Sequence, residues 1–143
     1  MSKRTHAREL VLKCLYAFES LDGDAESVFK QTCADSHLDG TAFEFVSNLF
    51  FKIVGEITEI DKKISASAQN WDIKRLAIVD KNIIRIAVCE LFFFPDIPAK
   101  VSINEAIELA KKYSTLDSAS FVNGILDHIY KENAVELENG ASA

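Results

Sequence analysis

The chain has 143 residues, 48% of them hydrophobic, with only 5 glycines and 2 prolines; that is enough apolar material for one packed domain, or for two small lobes, and it excludes a disordered chain. Apolar residues recur at threes and fours rather than twos, which predicts an all-α protein. Net charge is −6, but residues 1–16 carry Lys3, Arg4, Arg8 and Lys13 against Glu9, about +3, leaving about −9 on the rest. This pattern excludes a general positive surface for coating a duplex and leaves a basic tip able to contact an anion locally.

The first predicted helix runs from about Thr5 to Ser20, burying Leu12, Leu15 and Phe18, and stops at the LDGD turn. A short helix follows over about 25–33, with Val28 and Phe29 inward. Thr41 and Glu44 have capping-box spacing, and a single apolar stripe from Phe43 to Ile64 then predicts one long helix ending before Asn70. Gly55 lies within that stripe and suggests a close helix crossing. Trp71 and Asp72 open the next segment, a short apolar helix with Ile73, Leu76, Ile78 and Val79 that ends near Asp80. A further helix over about 81–94 stops because Pro95 cannot continue it.

Pro98 sets an extended approach to the next helix, for which Ser102 and Glu105 supply a second capping box; the helix is expected to start near Ile103. Lys111 and Lys112 complement the negative end of its dipole. The last helix opens at Asp117 or Ser118, with Phe121, Val122, Ile125, Leu126 and Ile129 as its stripe. Gly124 in its middle costs about 1 kcal/mol relative to alanine, which predicts a neighbouring backbone at close range. Seven helices result, with a seam around residues 66–72 between an amino-terminal lobe, about 1–68, and a carboxy-terminal lobe, about 69–133; residues 134–143 read as a disordered tail.

Chemistry-bearing constellations are sparse. His6, His37 and His128 have no metal-ligand spacing, no glycine-rich phosphate loop or nucleophile elbow is present, and no cofactor is called for. Cys14, Cys33 and Cys89 are odd in number and far apart, without Cys-x-x-Cys spacing, which fits small buried thiols in a reducing compartment. With no secretory signal and no apolar run long enough to span a bilayer, the expected location is cytoplasmic. Binding has better candidates than catalysis. Phe121 sits near a helix amino terminus, where free N–H groups can hold a phosphate while the ring stacks on an unpaired base. The alternative, that Phe121 belongs to the core stripe with Ile125, stays open at this point.

The run SINEAIELAKKY, the DS that precedes FVNGILD, the upstream RLAIVDKNIIRIAVCEL with its DIP exit and the basic amino-terminal segment together resemble the NusB transcription antitermination factors, over roughly residues 3–130. The resemblance implies a seven-helix fold of two small bundles sharing a core, and a non-catalytic adaptor that recognises boxA RNA with the ribosomal protein NusE within the RNA polymerase antitermination complex. It implies Lys3, Arg4, His6 and Arg8 for phosphates, and Asp117, Ser118 and Phe121 for bases and sugars, the two groups lying on one RNA-binding surface. For the NusE contact it implies Tyr16, Asp80 and Arg85, and the acidic body suits a basic partner. Thr5 and His6 stand where some family members have a continuous arginine run, which implies weaker intrinsic RNA affinity. Two other readings are an accessory domain like that of some RNA cytosine methyltransferases, and a purely structural helical dimer; a homodimer of the free protein is open under any of them.

Overall fold

The computed structural model of the chain describes residues 2–67 and 76–142. Among the described residues there are eight helices and no strand: α1 (Lys3–Ser20), α2 (Ala25–Cys33), α3 (Gly40–Gly55), α4 (Ile57–Ser67), α5 (Ile78–Phe93), α6 (Ala99–Tyr113), α7 (Leu116–Glu132) and α8 (Ala134–Ser142). They form two compact units, Met1–Gly55 and Glu56–Ala143. The seam expected at 66–72 and the start of the segment at Trp71 fall largely on residues 68–75, outside the described residues.

In the first unit, α1 packs on α2 and α3. Ser2 caps α1, its hydroxyl accepting the Thr5 N–H at 3.1 Å, and Asp24 caps α2 by accepting the Ser27 N–H at 2.8 Å. Val11, Leu12 and Leu15 of α1 are buried, as are Val28 and Phe29 of α2 and Val46, Leu49, Phe50 and Ile53 of α3. Phe29 lies at the centre of an aromatic cluster, its ring 5.5 Å from Phe50, 5.0 Å from Phe51 and 5.7 Å from Phe43. Each such pair adds about 0.5–1.5 kcal/mol beyond its area burial, so the cluster holds a short helix that could not stand alone.

The long helix expected from Thr41 to Asn70 is two helices, because Gly55 ends α3 and α4 begins at Ile57. No atom beyond Gly55's own helix lies within 4 Å of the position of a Cβ there, and the same holds at Gly124, so neither glycine marks the close crossing that was expected. Helix α3 starts at Gly40, whose φ of +55° is the left-handed conformation that side chains resist, and this places Thr41 inside the first turn rather than at the cap.

In the second unit, α5 is the buried centre, with every residue from Asn82 to Leu91 inside. Among the described residues, polar contacts tie its helices together. Arg85 of α5 pairs with Asp61 of α4, Ser102 of α6 donates to Glu90 of α5 at 2.8 Å, Ser118 of α7 donates to Asp80 of α5 at 2.9 Å, and Ser67 of α4 donates to Glu132 of α7 at 2.8 Å. The Ser102 contact corrects the expected capping box: α6 begins earlier, at Ala99 behind Pro98, and Ser102 lies inside the helix facing the core at 2% exposure. Proline suits this position because its missing N–H would have no partner at a helix start.

Residues 134–142, expected to be a disordered tail, include α8. The Asn133 N–H bonds back to the carbonyls of Ile129 and Tyr130 to close α7, and the Leu137 N–H then bonds to Asn133 to start the next helix. Among the described residues no helix is long and apolar enough to cross a membrane.

Candidate nucleic-acid and partner interface

Lys3, Arg4 and His6 are exposed on the first two turns of α1, which has no acidic residue in its first turn. Cationic side chains at a helix amino terminus oppose the dipole and destabilise the helix slightly, but they add to the positive end of that dipole and concentrate potential for an anion. The Arg4 guanidinium lies 4.5 Å from the centroid of the Phe45 ring on α3, a cation–π contact that restrains an otherwise free side chain.

Arg8 differs from the others. One turn further on, its guanidinium lies 5.4 Å from the same ring, and the residue is only 2% exposed. At this burial the Arg8 side chain packs α1 on α3 through the Phe45 ring.

At the start of α7 the cap is Thr115, two or three residues ahead of the start expected from the sequence. Its Oγ1 accepts the Ser118 N–H at 2.9 Å, and Leu116 and Asp117 follow in the first turn, Leu116 exposed to 73%. Asp117 is exposed, Phe121 is half-buried and Ser118 is turned toward Asp80. Half-burial of Phe121 is compatible with both readings left open by the sequence. The residue lies in the second turn of α7.

Tyr16 is 49% exposed on α1. Asp80 is 8% exposed; its Oδ2 accepts from Ser118, while its buried Oδ1 has no donor among the described residues. Arg85 is also 8% exposed and is committed to its own unit: Nε and Nη2 bond the two Asp61 oxygens at 2.9 and 2.8 Å, and Nη1 bonds Asn82 Oδ1 at 3.0 Å. Within the chain, then, Arg85 braces α5 on α4. Asp61 and Phe45 were missed from the sequence, since neither has a local signature that points to its cationic partner. Thr115 could have been found, because a threonine just ahead of an apolar helical stripe is a cap signal.

No group of three or more His, Cys, Asp or Glu that could hold a metal ion occurs among the described residues. One groove, of about 430 Å³, lies between α2 and α3, and another, of about 340 Å³, lies beside Ile103 and Tyr130.

The NusB family model matches residues 5–131. The chain belongs to the NusB family. A transcription antitermination protein NusB of Chloroherpeton thalassium is 43% identical over 130 residues, an alignment that covers 90% of this chain and 62% of that protein, so the chain spans somewhat under two thirds of that relative's length. Among solved structures, T. maritima NusB superposes with a TM-score of 0.83 at 41% identity, covering 90% of this chain and 91% of that one. A chain from a complex of the antitermination factors NusB and NusE with double-stranded RNA superposes with a TM-score of 0.84 at 29% identity, covering 92% of this chain and 98% of its own length. The expected all-α NusB fold is therefore established.

Proposed function

We propose that this NusB-family chain is a non-catalytic transcription antitermination adaptor that binds boxA-type single-stranded RNA together with the ribosomal protein NusE and promotes processive transcription of ribosomal RNA operons. The observation that carries this reading is the exposed Lys3, Arg4 and His6 cluster at the α1 amino terminus of a chain whose remainder carries about −9. A positive point on an anionic body draws in a phosphate backbone locally, and the anionic remainder suits a basic protein partner. A solved NusB–NusE complex that holds RNA supports the reading.

The residue roles follow from exposure and chemistry. Lys3, Arg4 and His6 contact phosphates, while Asp117 and the accessible part of Phe121 meet bases and sugars at the α7 start. Ser118 acts indirectly by holding Asp80. Tyr16, exposed on α1, and Asp80, in the first turn of α5, serve the protein partner.

Filter binding of labelled boxA RNA, with and without NusE and over a salt series, tests the function. The expected result is weak binding alone and a marked gain with NusE. About three phosphate contacts give a slope of log affinity on log salt near −2 for a single strand. Equal binding to boxA and a scrambled strand, with no gain from NusE, would refute it.

A further inference from the structure

Cys14 on α1 and Cys33 at the end of α2 are separated by 19 positions in the sequence, yet their sulfurs lie 3.7 Å apart in a buried contact with both thiols free. Access to the two is unequal. Cys14 is fully enclosed, whereas Cys33 is 9% exposed and lines the groove of about 430 Å³ between α2 and α3, beside Lys30, Phe43 and Phe51. A small molecule entering that groove meets Cys33 and not Cys14.

We propose that Cys14 and Cys33 form a modification site: a dithiol that reduces a low-molecular-weight disulfide and closes into an intramolecular disulfide joining α1 to α2. Cys33 gives its proton to water and attacks one sulfur of the small disulfide; a Cys33 mixed disulfide forms and one small thiolate leaves. Cys14 then loses its proton and attacks the Cys33 sulfur, forming the Cys14–Cys33 bond and expelling the second small thiolate. The protein loses two hydrogens and two electrons, and the small disulfide becomes two thiols. The sulfurs must close from 3.7 Å to a bond length of about 2.05 Å, which side-chain rotation and a slight approach of α2 supply.

The order of attack has a second basis. Burial pushes both thiols up from their ordinary value, Cys14 strongly so, and the Coulombic effect of Cys33 adds to the rise at Cys14. The hydrogen bond from Cys14 works the other way on Cys33, favouring its thiolate. Cys33 is therefore the sulfur better placed to attack first, and Cys14 the one that resolves. Raised thiols react slowly at neutral pH and faster in alkali.

The test uses the reduced, folded, full-length chain treated with bis(2-hydroxyethyl) disulfide at mildly alkaline pH, then intact mass and peptide mapping without reductant. The expected product is lighter by two hydrogens, with the Cys14 and Cys33 peptides joined, and dithiothreitol restores the starting mass. Its thermal midpoint should rise by roughly 10 °C, since the new bond closes a loop in the unfolded chain. Cys14→Ala should stop at the mixed disulfide, one hydroxyethylthio group heavier on Cys33. Failure of the folded wild type to react while the urea-unfolded chain does, or persistence of the Cys33 mixed disulfide in wild type, would overturn the proposal.

Discussion

Arg85 of α5 grips Asp61 of α4 with two parallel hydrogen bonds, Nε to Oδ1 at 2.9 Å and Nη2 to Oδ2 at 2.8 Å, while its third nitrogen bonds Asn82. A two-pronged pair of this kind fixes angle as well as distance, so it sets how α4 lies on α5. Removing the arginine leaves a carboxylate that is partly enclosed and has lost its partner. Arg85→Ala should lower unfolding free energy by about 3 kcal/mol in urea denaturation. Unchanged stability with weakened NusE binding would instead make Arg85 a partner contact.

The Asp80–Ser118 bond joins α5 to the start of α7. Ser118→Ala would leave both oxygens of a buried carboxylate without a donor among the described residues, at a cost of about 1–2 kcal/mol. Asp80→Asn should behave differently with the partner: if the Asp80 charge attracts a basic NusE group, the variant loses affinity even after correction for stability. A double-mutant cycle over the two positions separates the internal bond from the external one.

Arg4 and Arg8 share the Phe45 ring but differ in exposure, so their substitutions should divide cleanly. Arg4→Ala should weaken binding to all RNA sequences alike and reduce the salt slope by about 0.7, with little effect on stability. Arg8→Ala should cost about 2 kcal/mol in unfolding free energy through lost packing and lost charge contacts. Equal loss of RNA affinity at matched stability would return Arg8 to the binding surface.

Thr115 caps α7, and Thr115→Ala should cost about 1 kcal/mol of stability, read as a fall in thermal midpoint. Phe121→Ala should erode the preference for boxA over a scrambled strand more than total affinity, because stacking and base contacts discriminate where phosphate contacts do not. A uniform loss across sequences would place Phe121 in the packing of its unit alone.

Alkaline pH offers a test of the thiol pair. Cys14 holds its proton more tightly folded than unfolded, with burial the main cause. Above the unfolded thiol pKa of about 8.5 the unfolded chain binds fewer protons than the folded one, so stability should fall as pH rises from there toward the folded value. Cys14→Ala should flatten that decline in denaturation measured between pH 8 and 10. An equal slope in the variant would show that other groups cause it.

Local physics made much of the chain legible in its residues. The α2 helix, the end of α5 ahead of Pro95 and the basic start of α1 depend on spacing, proline and charge within a few positions, and those features act before any tertiary contact forms. Helix starts were less legible. Ser102 and Glu105 have the spacing of a capping box, but Pro98 had already begun the helix and Glu90 claimed the serine hydroxyl from another helix. Gly55 could interrupt a stripe or mark a crossing, and only its surroundings distinguish a break from a close approach.

By itself, then, the sequence determined an all-helical chain of the NusB kind with its positive charge gathered at one end, because helical period and charge order are properties of neighbouring residues. Tertiary structure alone decided which ionisable and thiol groups serve the interior: Arg8 against Phe45, Arg85 on Asp61, Ser118 with Asp80, and Cys14 beside Cys33. Each of those pairs joins residues on different helices. Their meeting depends on how helices pack, and no local pattern encodes which distant partner a side chain will find.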